Sequence, residues 1–159
     1  MMMESFFDIA RVLTENSECT LMGSLCLYLT APSVLGREVH DVDLFADDDP
    51  QNLRNIMTIL KERGFELYSW QNRITPEVDL QLLRGRYYFR AVKDGLTVDV
   101  TYEKPEFTYQ DMKQYETVSR GIRIYSARGL VRLLSCSDRE ENRVQLERLL
   151  TQINNSENT

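Results

Sequence analysis

Asp41-Val42-Asp43 places two carboxylates at i and i+2, and Val39 to Phe45 alternate as a strand does, so both aspartates project from one face. Asp99 lies in a second strand-like run, Leu96-Thr97-Val98-Asp99-Val100-Thr101-Tyr102. Carboxylates drawn that close repel one another unless a cation lies between them, and hard oxygen ligands of this kind suit Mg2+. Ahead of the doublet, Gly23-Ser24 separates a short apolar strand, Cys19-Thr20-Leu21-Met22, from a short buried helix, Leu25 to Leu29. Such a turn offers backbone N–H groups and a hydroxyl to phosphate oxygens. A phosphoryl displacement clamped by metal is the chemistry that these residue types in this order can perform.

Other residues compete for these roles. Asp79, in Glu77-Val78-Asp79-Leu80, is an alternative third carboxylate, although Gly95 just upstream favours Asp99. Asp47, Asp48 and Asp49 read as a solvated turn and helix cap. His40, the single histidine, has the opposite strand parity from Asp41 and reads more readily as a structural group than as a base. Arg37, in the loop entering the aspartate strand, either reaches a triphosphate or is a solvated loop arginine. Arg84, Arg86 and Arg90 interleave with Tyr87, Tyr88 and Phe89, as a basic and aromatic surface for a nucleic acid or as one half-buried strand with a polar outer face.

The elements that must position these groups are legible from periodicity. Phe6, Ile9, Ala10 and Leu13 predict a helix over about 4–16, and Asp49-Pro50 with Leu53, Ile56, Met57 and Leu60 predicts a capped helix ending near Gly64. Phe65 to Trp70 reads as a strand, whereas residues 73–84 are ambiguous. Asp94-Gly95 predicts a tight hairpin turn between strands at 87–92 and 96–102. Tyr109, Met112 and Tyr115 have helical spacing, and a strand pair through Thr117 to Tyr125 turns at Gly121. Two helices close the chain, at about 127–136 and from a capping box formed by Ser137 and Glu140. Residues 1–153 form one domain, and 154–159 a frayed polar tail. Helices and strands in this order imply an α+β or α/β sandwich with a mixed sheet.

The chain has 159 residues, 42% hydrophobic and 28% charged, enough for one domain with a real core and no need of disulfides. A net charge of −6 argues against a general polyanion-binding surface but leaves room for a local basic groove, which only Arg84 to Arg90 supplies. Cys19, Cys26 and Cys136 form no C-x-x-C pair. With no signal-like start and no apolar run approaching the ~20 residues that span a bilayer, the expectation is a soluble cytoplasmic protein with no membrane partner.

Taken together, Gly23-Ser24 between strand and helix, Asp41-Val42-Asp43 followed by Leu44 and Phe45, and Asp99 within Gly95-Leu96-Thr97-Val98-Asp99-Val100 resemble the polymerase-β-type nucleotidyltransferase superfamily. The segment Ile122-Arg123-Ile124-Tyr125-Ser126 leading into Leu130-Val131-Arg132-Leu133 is similar to abortive-infection-type relatives, so the resemblance spans roughly residues 5 to 150. It implies a nucleotidyltransferase-like mixed sheet flanked by helices, and transfer of a nucleoside monophosphate from a nucleoside triphosphate to a hydroxyl with Mg2+ as cofactor. Asp41, Asp43 and Asp99 would be the catalytic and metal-holding carboxylates, with Asp99 as general base. Gly23, Ser24, Arg37 and Arg132 would hold the nucleotide. The acceptor is left open between transfer RNA, a partner protein and a small molecule, as is a cognate toxin or antitoxin partner or a homodimer. Relatives of the toxin type carry a lysine at Arg132 and paired aspartates where this chain has Glu140 and Glu141, so the alternative is a degenerate relative that binds nucleotide or a partner without turnover.

Overall fold

The computed structural model describes residues 2–157. Phe6, Ile9, Ala10 and Leu13 line the buried side of α1, Met2–Asn16. β1, Cys19–Met22, runs directly into α2, Gly23–Thr30, at the Gly-Ser pair. β2, Asp41–Ala46, begins two residues later than the alternation predicts. α3, Pro50–Glu62, has the expected start: Pro50 takes the first helical position and the Asp49 carboxylate accepts from the Asn52 N–H at 3.2 Å.

β3, Glu66–Ser69, and β4, Asn72–Ile74, form a hairpin, and the ambiguous stretch beyond it becomes a 3-10 turn at Leu80–Leu83. β5, Tyr88–Lys93, and β6, Leu96–Thr101, are joined as expected through Asp94 and Gly95, at φ +49° and +81°. α4, Tyr109–Met112, precedes the hairpin of β7, Glu116–Ser119, and β8, Ile122–Tyr125. α5, Ala127–Leu134, and α6, Glu140–Glu157, close the chain.

Two expectations for the last helix need correction. The Ser137–Glu140 capping box does not form, because α6 starts at Glu140 itself; Ser137 Oγ accepts instead from the Arg139 N–H at 3.2 Å and from Asn142 Nδ2 at 2.8 Å. The polar tail is helical rather than frayed as far as Glu157, since Leu149 is fully buried and Ile153 packs on the core, carrying the helix past Asn154. Asn158 and Thr159 lie outside the described residues.

The eight strands make one mixed sheet in the order β4-β3-β5-β6-β2-β1-β8-β7. β2 is antiparallel to β1 and parallel to β6, and β1 is parallel to β8. One face carries Leu21, Val42, Leu44, Val98, Val100, Phe89 and Leu67, all buried. α1 packs on β1 and β8 beneath it, and α3 on β3. The opposite face holds the polar residues of the same strands. Over β1, β2 and β8 that face is covered by the 107–112 segment, where Phe45 meets Phe107 and Tyr109 edge to face. The result is a single α+β domain with a mixed sheet flanked by helices.

Candidate active site

The three aspartates converge because of register. Asp43 lies directly opposite Asp99 in the parallel β2–β6 pair, and Asp41 is two residues back on the same face. One carboxylate oxygen from each of Asp41, Asp43 and Asp99 falls within 4.8 Å of the other two. Burial, with Asp41 and Asp99 beside it, pushes the Asp43 carboxyl up to about 8. Burial and then Asp99 raise Asp41 as well, against the pull of Arg37 and Arg90. A cluster of hard oxygens that resists carrying its own charge is the donor set a divalent cation fits, and its charge reverses this penalty.

Gly23 is glycine for two independent reasons. Its φ is +71°, and a Cβ there would fall against the Asp43 carboxylate and 2.9 Å from Asp43 Cβ. The close approach follows from Met22 pairing with Asp43 across β1–β2, which brings the start of α2 to the metal-type cluster. Ser24 is buried, and its Oγ accepts from Arg37 Nη2 at 2.9 Å; Arg37 also approaches Glu141 at 3.7 Å. A cavity of about 290 Å³ opens here, lined by Gly23, Ser24, Arg37 and Asp43 with Lys104 and Arg139. The N–H groups that begin α2 and three cations thus border one space beside a carboxylate.

Arg132 does not line that cavity. Leu130, Leu133 and Leu134 occupy the cavity side of α5, and position 132 turns away from them, so its guanidinium lies over the rings of Phe107, at 5.2 Å, and Tyr115, at 5.9 Å. Asp79 caps the 3-10 turn by accepting from the Gln81 N–H at 3.0 Å, far along the chain from the cluster and outside it. His40 is exposed and contributes only a weak stabilising field to ionised Asp41. Asp47 and Asp49 serve the turn and cap expected of them, Asp47 accepting from the Asp49 N–H at 3.1 Å.

Three residues at the site were not read from the sequence in these roles. Lys104 and Arg139 line the cavity from loops that have no local motif. Arg90 grips Asp99 with two bonds, Nε to Oδ1 at 2.7 Å and Nη2 to Oδ2 at 3.1 Å. That pair had a signal: a two-residue Asp94-Gly95 turn sets Lys93 opposite Leu96, and counting back puts Arg90 opposite Asp99.

Comparison with solved structures identifies the fold. The chain is similar to the Megavirus polyadenylate synthase, with a TM-score of 0.55 and 12% identity over 94% of this chain and 30% of that one. It is also similar to a candidate nucleotidyltransferase from Thermotoga maritima, with a TM-score of 0.53 and 16% identity over 96% of this chain and 92% of that one. The chain therefore corresponds to about a third of the viral enzyme and to nearly all of the Thermotoga protein. No protein-family model and no curated protein matches the sequence. The fold is the minimal nucleotidyltransferase fold that the sequence resemblance implied. No helix among the described residues is long and apolar enough to cross a membrane.

Proposed function

We propose that this chain is a Mg2+-dependent nucleotidyltransferase that moves a nucleoside monophosphate from a nucleoside triphosphate to a hydroxyl, the hydroxyl oxygen bonding to the α-phosphorus as the bond from the α-phosphorus to the α–β bridging oxygen breaks and pyrophosphate leaves. The observation that carries the reading is the convergence of Asp41, Asp43 and Asp99 beside the Gly23-Ser24 turn. Asp41, Asp43 and Asp99 hold the cation, which when bound neutralises the charge that builds on the transferred phosphoryl group. The N–H groups at the start of α2, the Ser24 hydroxyl, Arg37, Lys104 and Arg139 orient the triphosphate in the cavity. Arg132 supports this site from behind α5 rather than touching nucleotide. Asp99 faces the open half of the sheet, from which the acceptor approaches, and its carboxylate takes the hydroxyl proton once Arg90 lets go.

Radiolabel from α-labelled nucleoside triphosphate is expected to appear in an acceptor with the native chain and Mg2+, and to vanish with Asp43→Ala. Equal incorporation by both, or Mg2+–ATP binding indifferent to all three aspartates, refutes the reading. A second reading, nucleotide binding without turnover, rests on the Arg90 grip on Asp99, which neutralises the third carboxylate within the protein. Sustained turnover on any acceptor eliminates it.

A further inference from the structure

The register of the sheet lays one row of side chains straight across six strands on the site face: Met22, Asp43, Asp99, Arg90, Tyr68 and Arg73. Strands are spaced at about 4.8 Å, so the half of the row beyond Asp99 extends on the order of 14 Å from the carboxylates. Unlike the half over β1 and β8, this part of the face is open. The side chains of Arg90 and Arg73 are 47% and 59% exposed, and Tyr68 and Tyr88 are each partly exposed.

Aromatic rings gather at the margin of this open half. Trp70 and Tyr87 are 52% and 51% exposed, and the Trp70 ring meets Tyr88 at 5.6 Å while its Nε1 donates to the Arg86 carbonyl at 2.9 Å. Both exposed rings are carried on backbone at positive φ, +56° for Trp70 and +69° for Tyr87. Trp70 occupies the first position of the two-residue β3–β4 turn, a place that glycine or asparagine fills without strain. Trp70 ties this turn to the 86–88 segment through Tyr88 and the Arg86 carbonyl yet leaves half of its surface to solvent, and strain of this kind collects where ligands are gripped.

Charge complements the rings. Between Trp70 and Arg90 the sequence has four arginines, Arg73, Arg84, Arg86 and Arg90, against two acids, Glu77 and Asp79, in a chain of net charge −6; Lys93 has the opposite strand parity from Arg90 and donates to the Arg63 carbonyl at 2.7 Å on the other face. Arg84 and Arg86 are exposed, and among the described residues no ion pair engages either. Glu66, at the edge of the face, is already occupied by Arg73 at 3.5 Å and by the Tyr68 hydroxyl at 2.8 Å. Acids border the face as well: Glu103, whose carboxylate accepts from the Gly85 and Tyr87 N–H groups at 3.0 and 2.9 Å, and Asp47 and Asp48, which share a cavity with Tyr87.

We infer that the open face of β5, β3 and β4, with the rims bearing Trp70 and Tyr87, binds single-stranded nucleic acid. Exposed rings stack on bases of any sequence, and arginines outside ion pairs track the phosphates, the combination that single-strand surfaces use. The inference rests on the nucleotidyltransferase reading only in making this strand the acceptor, whose terminal hydroxyl would then lie toward Asp99. Binding itself requires no turnover.

Trp70 is the sole tryptophan, so its fluorescence reports the face directly. Titration of the native chain with oligouridylate or oligodeoxythymidylate at low salt is expected to quench it saturably, and added salt to weaken the binding. Followed by anisotropy of a labelled oligonucleotide, Trp70→Gly, which also relieves the positive φ, is expected to weaken binding about tenfold or more. Arg84→Gln with Arg86→Gln should flatten the dependence of log affinity on log salt by up to about 1 for each phosphate that is no longer neutralised. Asp43→Ala is expected to bind the strand as the native chain does while losing Mg2+–ATP, so failure of the nucleotide site and failure of this face are separately visible. No saturable quenching, native-like strand binding by Trp70→Gly, or competition by polyglutamate as effective as by the oligonucleotide, which marks a face for acidic protein segments, would each overturn the inference.

Discussion

The residue with most leverage in this molecule is Asp43. Its carboxyl is raised from 3.8 to about 8, first by burial and then by Asp41 and Asp99. Between those values the folded chain keeps a proton that the unfolded chain has released, so without divalent cation this group makes stability fall as pH rises from about 4 to about 8. Thermal unfolding across that range is expected to show the decline in the native chain and a shallower one in Asp43→Asn, which should be the more stable of the two at the alkaline end. Gly23 is coupled to the same carboxylate. Gly23→Ala is expected to cost about 1–3 kcal/mol through its positive φ and its clash with Asp43. Because the added methyl displaces the carboxylate, it should also weaken Mg2+–ATP binding, read by calorimetry alongside the melting curve.

At the scale of elements, the site depends on strands held in register by features outside it. The two-residue turn at Asp94-Gly95 fixes β5 against β6, and so fixes Arg90 against Asp99. A slip of one residue would send both to the buried face among Phe89, Val98 and Val100. β2 is anchored at its far end by α3, whose N-terminus is capped by Asp49 and pinned to the β1 entry by Asn52, which accepts from the Glu18 N–H at 2.8 Å. Asp49→Ala should destabilise the fold by about 1 kcal/mol, measured by urea unfolding, with nucleotide binding unchanged under native conditions. Loss of binding at full folding would show instead that the cap positions the aspartate strand.

For the whole molecule, three of the carboxylates behind the net charge of −6 are concentrated at one point in the sheet. Binding of a cation to the folded state alone must then stabilise it by mass action, by about 2.7 kcal/mol when the free ion is a hundredfold above its dissociation constant. Mg2+ is expected to raise the melting temperature of the native chain and to leave Asp43→Ala unmoved. A similar rise in both would place the ion elsewhere. The remaining charge is unevenly spread as well, with Arg73 and Arg90 on the open half of the same sheet face and Arg86 at its rim.

Local patterns in the sequence determined most of the elements and singled out the residues of the candidate site. The Asp49-Pro50 start, the Asp94-Gly95 turn, the apolar stripe of α1 and the i, i+2 aspartates are short-range features whose physics is complete within a few residues. The three carboxylates and Gly23-Ser24 were grouped by the family resemblance, and the register of β1, β2 and β6 brings them together. The late helix was misread at both ends because a Ser-x-x-Glu pattern is only an opportunity for a cap, and burial of Leu149 carried the helix through a polar tail. Only the tertiary structure decided which cations face the cavity beside Gly23 and Asp43. Arg132 resembled a phosphate ligand, yet its place on α5 directs it to Phe107 and Tyr115, while Lys104 and Arg139 reach the cavity from loops distant in the chain. The exposure of Trp70 beside Arg86 and Tyr88 likewise depends on how β3, β4 and β5 pair. Such neighbours are set by strand order and helix packing, which long-range burial selects and no local spacing encodes.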